Sequence, residues 1–277
     1  MKIGVTLPQF VGDPRRTLDA ARRVETIGLD GAFVFDHNWP IGRPDRPGLA
    51  AFPLLGAVCA VTRQVFVGPL VARVGLVDDA VLVAQLRSLA AMSGGTGGRL
   101  VAGLGAGDAK SAAENDAYGI PAAPAAARRR SLESCARALM ADGICVWVGG
   151  SAPETVAVAR RLALPLNLWQ VSPARLAQEA ATGPTTWAGI GLEPGDGAGR
   201  AGPGGGGTGP SAGPTAPADG RVARAVVAEA PPGRAPVTVD DLAAAGATWA
   251  VTAWPGDAGL EALAAAASGA RARCGKM

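Results

Sequence analysis

Eight short runs of β-forming residues alternate with longer runs rich in alanine, leucine and arginine along this chain of 277 residues. Such alternation is typical of repeated βα units around a mostly parallel sheet. The predicted strands are Lys2–Leu7, Ala32–Asp36, Val65–Val71, Leu100–Gly105, Ile144–Gly149, Leu166–Val171, Thr186–Leu192 and Trp249–Ala253. The predicted helices are 14–28, 50–63, 79–92, 127–140, 153–163, 173–181, 240–246 and 258–270. Eight units predict an α/β fold, a single-domain (β/α)8 TIM barrel, and a doubly wound open sheet is the alternative.

Three helix starts carry capping signals. Asp13-Pro14 supplies an N-cap and a first-turn proline for the first helix, and Asp78 can cap the third. Ser151 and Glu154 have the spacing of a capping box, in which each side chain bonds the backbone N–H of the other residue. We therefore expect these helices to begin close to residues 14, 79 and 153.

One segment interrupts the alternation. Residues Pro194–Gly220 are almost all Gly, Ala, Pro, Thr and Asp, and they include four consecutive glycines at 204–207. A segment of this composition buries too little apolar surface to offset the entropy of ordering the chain. We predict a flexible, disordered insertion after the seventh strand, within a single domain spanning residues 1–277. A substrate-side loop is the alternative interpretation.

Charge and cysteine usage exclude several classes of function. The formal charge is only +3, and the lysines stand far apart at Lys2, Lys110 and Lys276. Arg128–Arg130 begins a helical pattern and is interpreted as a solvated or packed helix face, so nucleic-acid binding is not predicted. The four cysteines form no CxxC pair, which predicts no metal site and a reducing, cytoplasmic setting. No charge-free apolar run approaches the roughly 20 residues of a membrane span, so no membrane association is predicted.

Polar side chains that directly follow predicted strands are the candidate chemical groups, because barrel ligands bind at the carboxyl ends of the strands. His37, the only histidine, follows the second strand, and its titration near neutrality suits proton transfer. A histidine satisfied by loop hydrogen bonds is the alternative. Asp36 has the opposite pleat parity and is expected to anchor the loop. Asp108 follows the fourth strand, either as the N-cap of a short turn or as a cavity acid, and Gln170 follows the sixth.

Glycines also cluster at two strand ends. Gly149-Gly150-Ser151 closes the fifth strand and opens a helix, where free backbone N–H groups favour a phosphate. A capped turn with Ser151 bonded to Glu154 is compatible with that interpretation. The run Gly103–Gly107 lacks the rest of a dinucleotide fingerprint, so a Rossmann site is not predicted. Its glycines are expected to let a flat ring or a substrate approach the backbone closely.

The tryptophans divide into two groups. Trp147, Trp187 and Trp249 lie inside predicted strands and are expected in the core. Trp39 and Trp254 fall at strand ends, where they are expected to form a flat hydrophobic wall for a planar ring.

Four stretches together resemble the luciferase-like monooxygenase superfamily, whose members use flavins or the deazaflavin coenzyme F-420. The stretches are Ile3–Gln9; Glu25–Asp30 running into Asp36-His37; Ser93–Gly95 with Gly98–Gly107; and Val146–Ser151. Their order and spacing match the family over about residues 1–175. The resemblance implies a (β/α)8 barrel with the flavin in a cavity at the carboxyl ends of the strands.

The resemblance also implies roles for individual residues. His37 matches the active-site histidine of the family, and Asp108 falls where some F-420-dependent members place an acidic residue. Leu70-Val71 matches a bulge in the third strand that supports the ring through a non-prolyl cis peptide bond. The residues expected to bind the coenzyme, with its phosphate on Gly149 to Ser151, are Leu70, Val71, Gly107, Gly149, Gly150, Ser151 and Gln170.

Three functions stay open at this stage. The first is an oxidoreductase that transfers hydride between F-420 and a small organic substrate. The second is a monooxygenase that receives reduced FMN from a separate flavin reductase. The third is a non-catalytic flavin-binding or degenerate member, which the short connection before residue 144 and the glycine-rich insertion motivate. The substrate and the oligomeric state, a homodimer included, are left open by the sequence.

Overall fold

The computed structural model describes residues 1–190, 192–193 and 237–274 of the chain. The predicted insertion at 194–220 lies outside the described residues, so its flexibility stays a prediction. Among the helices that the structure describes, none is both long and apolar enough to cross a lipid bilayer.

Strands and helices alternate as the sequence predicts. The strands are β1 (Lys2–Thr6), β2 (Gly31–Val34), β3 (Phe66–Pro69), β4 (Ala72–Arg73), β5 (Val101–Gly105), β6 (Cys145–Gly149), β7 (Leu166–Trp169), β8 (Thr185–Gly189), β9 (Leu192–Glu193), β10 (Val237–Thr238) and β11 (Trp249–Ala253). The helices are α1 (Pro14–Thr26), α2 (Ala51–Val61), α3 (Asp79–Met92), α4 (Ala112–Ala117), α5 (Ala125–Ala141), α6 (Pro153–Arg161), α7 (Pro173–Ala180), α8 (Val239–Ala244) and α9 (Gly256–Cys274).

Parallel pairing closes these strands into a barrel. The order in the large sheet is β3, β2, β1, β11, β8, β7, β6, β5 and β4. Pairing of β1 with β11 joins the first and last of the eight predicted strands, which excludes the open doubly wound sheet. The short parallel pair of β9 and β10 lies outside this barrel and was not predicted.

The third predicted strand is divided into β3 and β4. Leu70 and Val71 lie between the two pieces, and the peptide bond that joins them is cis, as the resemblance implies. On one side β3 pairs with β2, while β4 pairs with β5. A bridge between Val67 and Leu100 links β3 to the residue before β5. The two ends of the strand order are therefore parts of one interrupted strand, and the barrel is nearly closed.

The barrel interior is filled by large aromatic side chains. Phe33 lies between Trp147 and Trp249, with ring centroids 5.8 and 5.9 Å away, and the two indoles are 5.3 Å apart. All three side chains are buried, as predicted for the tryptophans. Trp187 is buried too, but it packs in the outer layer between the strands and the helices. Since no open channel is left at this level, a ligand can bind only at an end of the barrel.

Two charged residues of the family-like stretches stabilise the amino end of the strands. One oxygen of Glu25 accepts hydrogen bonds from the backbone N–H groups of Arg63, Gln64 and Val65. Burial alone would raise the pKa of the Glu25 carboxyl, but these three bonds outweigh it and lower the pKa. The Arg99 guanidinium donates to the carbonyl oxygen of Val65 at 2.8 Å. These contacts fix the loop before β3 at the end away from His37.

Candidate active site

His37 lies just beyond β2, at the carboxyl end of the barrel, and its ring is paired with a carboxylate. The Nδ1 atom lies 2.7 Å from Oε2 of Glu114, a residue of α4. The other carboxylate oxygen accepts a hydrogen bond from the backbone N–H of Asn38 at 2.5 Å. Glu114 is almost completely buried, whereas the His37 side chain is 17% exposed. A ligand at this end of the barrel can therefore reach the imidazole but not the carboxylate.

Arg73, the last residue of β4, is the second partner of Glu114. Its Nη2 atom lies 2.9 Å from Oε2 of Glu114, and both side chains are buried. The Arg73 backbone N–H donates to Oδ2 of Asp36, and its Nε donates to the Asp36 carbonyl oxygen. Asp36 therefore anchors the loop, as expected from its pleat parity. A buried carboxylate held by an arginine and a histidine is a fixed negative charge beside the imidazole.

The electrostatics of the two acids differ. Burial alone would raise the pKa of Glu114, but bonds from His37 and the Asn38 N–H, with the charge of Arg73, hold the pKa below its usual range. Burial raises the pKa of the Asp36 carboxyl, and the bond from the Arg73 N–H offsets only part of that rise. Glu114 is therefore ionised near neutrality and can only accept hydrogen bonds. It follows that Nδ1 of His37 carries a hydrogen and that Nε2 is left for a ligand.

Helix α4 and the residue after it make two further contacts around this site, besides those of Glu114. The next residue, Asn115, accepts a hydrogen bond from Nη1 of Arg73 at 3.3 Å. Tyr118 follows the helix and stacks on Trp39, with ring centroids 5.4 Å apart and planes 29° from parallel. Trp39 therefore stacks on the protein's own tyrosine, and its role as a wall for a planar ligand stays a prediction. Sequence reasoning missed both Glu114 and Arg73.

Gln9, which follows β1, forms hydrogen bonds with the backbone of the loop that carries His37. Its Oε1 accepts from the backbone N–H of Phe35, and its Nε2 donates to the carbonyl oxygens of Phe35, His37 and Leu49. The side chain is 1% exposed, so its four bonds replace water inside the protein. Gln9 thus positions the backbone on which His37 is carried.

Asp108 is exposed, and it caps the short 3-10 turn Ala109–Ser111 by accepting from the Lys110 N–H at 2.9 Å. The predicted N-cap role of Asp108 is therefore present in the structure. Gly107, immediately before it, is exposed and has a positive φ of 70°. Arg128, at the start of α5, donates from Nε to the Ala106 carbonyl oxygen at 2.6 Å, and so fixes the beginning of this loop.

The glycines of β5 and β6 face Val71. A Cβ atom built on Gly105 would lie 2.3 Å from Cγ2 of Val71, and one on Gly149 would lie 2.6 Å from its Cγ1. A Cβ on Gly103 would lie 2.4 Å from the carbonyl oxygen of Pro69. The expectation that Gly103 and Gly105 admit a flat ring is therefore wrong, because the chain's own third strand fills that space. Gly107 alone in this run has no neighbouring atom within 4 Å of such a Cβ.

The turn before α6 has no side-chain cap. The N-cap is Ala152, which makes no side-chain cap bond, so the predicted capping box of Ser151 and Glu154 is wrong. Gly150 has a φ of 139°, and its N–H already donates to the carbonyl oxygen of Asn167. Ser151 is exposed. The start of α6, rather than Gly150, is thus the part of this turn with the electrostatic character of an anion seat.

Aromatic rings meet across the mouth of the barrel. Trp169, the last residue of β7, contacts Phe35 edge to face, with centroids 5.7 Å apart and planes at 74°. Phe35 stacks on Phe10 at 6.2 Å with planes only 8° apart. Trp169 is 43% exposed, although it was predicted inside a strand. Trp254 is partly buried and packs against the outer core, and its place in a ligand wall stays a prediction.

The family model described as luciferase-like monooxygenase matches residues 1–141 of the 277. The chain belongs to the luciferase-like monooxygenase family. This match confirms the family resemblance that was seen in the sequence of the luciferase-like chain. A comparison with curated proteins finds no match.

Solved structures share the fold of this luciferase-like barrel. The F-420-dependent tetrahydromethanopterin reductase from Methanopyrus kandleri is 13% identical, with a TM-score of 0.63 over 96% of this chain and 97% of that chain. The monooxygenase RslO1 from Streptomyces bottropensis is 14% identical, with a TM-score of 0.65 over 99% and 100%. An F-420-dependent secondary alcohol dehydrogenase, in complex with an F-420–acetone adduct, is 17% identical, with a TM-score of 0.58 over 70% of each chain.

Proposed function

We propose that this chain is an oxidoreductase that transfers hydride between coenzyme F-420 and a small organic substrate. The observation that carries the proposal is the His37–Glu114 pair at the carboxyl end of the barrel, where Nδ1 and Oε2 are 2.7 Å apart. A histidine held in one tautomer by a buried carboxylate is suited to accept or return a substrate proton through its other nitrogen. Two of the solved structures with this fold are F-420-dependent enzymes, which agrees with the proposal.

His37 supplies the proton chemistry in this proposal. In the direction of alcohol oxidation, Nε2 of His37 takes the hydroxyl proton while hydride leaves the carbon, and a carbonyl forms. Glu114 stabilises the positive charge that the imidazole acquires, because the carboxylate stays ionised. Arg73 keeps Glu114 from taking up that proton, since its charge lies 2.9 Å from the same oxygen. A deazaflavin held at this end of the barrel would supply the acceptor or donor of the hydride.

The residues beside β4, β5 and β6 fit a coenzyme of this kind. The uncapped start of α6 suits its phosphate, with Ser151 exposed beside it. Gly149, Gly150 and Ser151 stay the predicted phosphate segment. Leu70 and Val71 stay the predicted support of the ring, and Gly107 and Gln170 stay predicted coenzyme contacts. We assign proton transfer to His37 with Glu114 and leave Asp108 in its observed cap, because that carboxylate is exposed.

Coenzyme titrations test the proposal. The purified protein is mixed separately with F-420 and with FMN, and binding is followed by absorbance and fluorescence. We expect saturable binding of F-420, and hydride transfer to it from a panel of alcohols. Tight FMN binding without F-420 binding would favour the FMN-dependent monooxygenase and contradict the proposal. Binding of either coenzyme without turnover would favour a non-catalytic member.

The variant His37→Ala tests the proton-transfer role of the histidine separately from coenzyme binding. We expect the variant to lose at least about a hundredfold in kcat, because a positioned acid–base group contributes factors of that order. Its affinity for F-420 is expected to change less than about threefold, since the phosphate seat lies on another strand. Asp108→Asn is the control, because asparagine retains the cap. Unchanged turnover in His37→Ala would reject the catalytic role of the histidine.

A further inference from the structure

Phe35 and Trp169 form an aromatic corner at the open end of the barrel. Phe35 continues β2, and Trp169 ends β7, so the two rings meet from opposite sides of the barrel. Their planes are 74° apart, with centroids 5.7 Å apart. A flat ring that stacks on one plane of such a corner presents its edge to the other, and aromatic groups favour both arrangements. The aromatic corner therefore has the shape of a seat for one additional ring.

The corner is supported from behind. Phe35 stacks on Phe10, and Gln9 bonds both the N–H and the carbonyl oxygen of Phe35. On the other side, Trp169 is held in register with Ala188 of β8, which lies in the barrel interior. A rigid aromatic surface loses little side-chain entropy when a ligand binds to it.

Exposure indicates that the corner is available to a ligand. The tryptophan is 43% exposed, whereas Trp147, Trp187 and Trp249 are each at most 8% exposed. A large apolar ring left open to water at the ligand-binding end of a barrel gains free energy when it is covered. The corner is also joined to the catalytic pair, because Nε2 of Gln9 donates to the carbonyl oxygens of both Phe35 and His37.

We infer that the aromatic corner binds an apolar ring of the substrate. The substrate class is a small alcohol or carbonyl compound that carries an aromatic or alicyclic ring next to the reacting carbon. This assignment rests on the proposed function, which seats the coenzyme along β4, β5 and β6 with Gln170 after β7. The corner borders that seat at Gln170, and its exposed ring is assigned to the second reactant. Phe35 is two residues before His37, so a ring that stacks in the corner lies beside the loop that carries the imidazole.

Binding to the coenzyme-free protein tests the corner separately from the chemistry. Dissociation constants are measured by saturation-transfer NMR for benzyl alcohol and cyclohexylmethanol, with the open-chain hexan-1-ol as the comparison. We expect both ring alcohols to bind more tightly than hexan-1-ol. Trp169→Ala is expected to weaken benzyl alcohol about tenfold, and Trp169→Phe less than about threefold, because phenylalanine keeps a ring at this position. Ile41→Ala, which removes another exposed apolar side chain from this end, should bind like the wild type.

Each result decides one question. Equal binding of benzyl alcohol to the wild type and Trp169→Ala, or no preference for rings over hexan-1-ol, would overturn the inference. So would a Trp169→Ala variant that loses F-420 affinity while it still binds benzyl alcohol, because the corner would then hold the coenzyme. Trp169-dependent binding without hydride transfer to F-420 would support the corner and contradict the proposed function. Hydride transfer from ring alcohols that is unaffected by Trp169→Ala would support the function and overturn the corner.

Discussion

The Oε2 atom of Glu114 lies 2.7 Å from Nδ1 of His37, although 77 residues separate the two along the chain. The contact joins the loop after β2 to helix α4, which follows β5. It gives the only histidine of the chain a fixed hydrogen-bond partner and a fixed negative charge. The chemistry proposed for His37 therefore depends on a residue in another loop.

Glu114→Gln tests that dependence. We expect kcat to fall about 10- to 100-fold, because a neutral amide neither stabilises the imidazolium nor enforces the same tautomer. The affinity for F-420 should stay nearly constant, so the loss appears in kcat and in a changed pH profile. Asp116→Asn is the matched control, because Asp116 is an exposed acid of the same helix. A kcat for Glu114→Gln equal to that of the control would show that Glu114 does not act on His37.

The stability contributed by Glu114 depends on pH in a defined direction. The folded-state pKa of its carboxyl lies below the ordinary value of 4.5, so its stabilising effect is present above pH 4.5 and is lost as the pH falls through the folded pKa. At pH 7, Glu114→Gln should lower the free energy of unfolding by about 3 kcal/mol, since Arg73 is left as a buried charge without its carboxylate. Urea unfolding at pH 7 and at pH 3 measures the difference. A difference that stays constant between these pH values would contradict the assignment.

Gln9→Leu tests the support below the His37 loop. The variant leaves the backbone groups of Phe35 and the carbonyl oxygen of Leu49 without their partner inside the protein. We expect a loss of about 3 kcal/mol in the free energy of unfolding, because each unsatisfied buried group costs about 1 kcal/mol or more. Urea denaturation provides the measurement. Gln64→Leu is the matched control, as Gln64 is exposed; equal losses in both variants would refute the support role.

Gly105→Ala tests whether Val71 fills the space in front of β5. The new methyl group would lie 2.3 Å from Cγ2 of Val71, and we expect a loss of about 1 to 3 kcal/mol in stability. Val71→Ala in the same chain should recover part of that loss, because it removes the clashing methyl group. A double-mutant cycle in urea measures the coupling. Gly12→Ala, with open space around the new atom, is the control; strictly additive effects would show that Val71 does not limit the size of residue 105.

Local patterns predicted the βα units, whereas closure of the sheet into a barrel is shown by the pairing of β1 with β11. Each strand is a short apolar run, and each helix carries its own spacing or cap; Asp13 and Asp78 bond the N–H groups of Arg15 and Ala80 as expected. His37 was identified because a single histidine after a strand is a local signal. The division of the third strand was indicated by family resemblance alone, because the run Val65–Val71 looks continuous in the sequence.

Long-range contacts account for what the sequence did not predict. Glu114 lies in a six-residue helix outside the barrel, and no spacing in the sequence connects it to His37 or Arg73. Trp169 was placed inside a strand, because the predicted run continued to Val171 while β7 ends at Trp169. The glycines before Asp108 were assigned to a ligand, since the sequence gives no sign that Val71 packs against them.

The aromatic filling of the barrel has a consequence for kinetics. Phe33, Trp147 and Trp249 are in contact with one another, so the rings leave no open channel along the axis of the barrel at this level. In the described part of the chain, the coenzyme and the substrate proposed here therefore both approach His37 from the carboxyl end of the barrel, and an excess of either is expected to slow the arrival of the other.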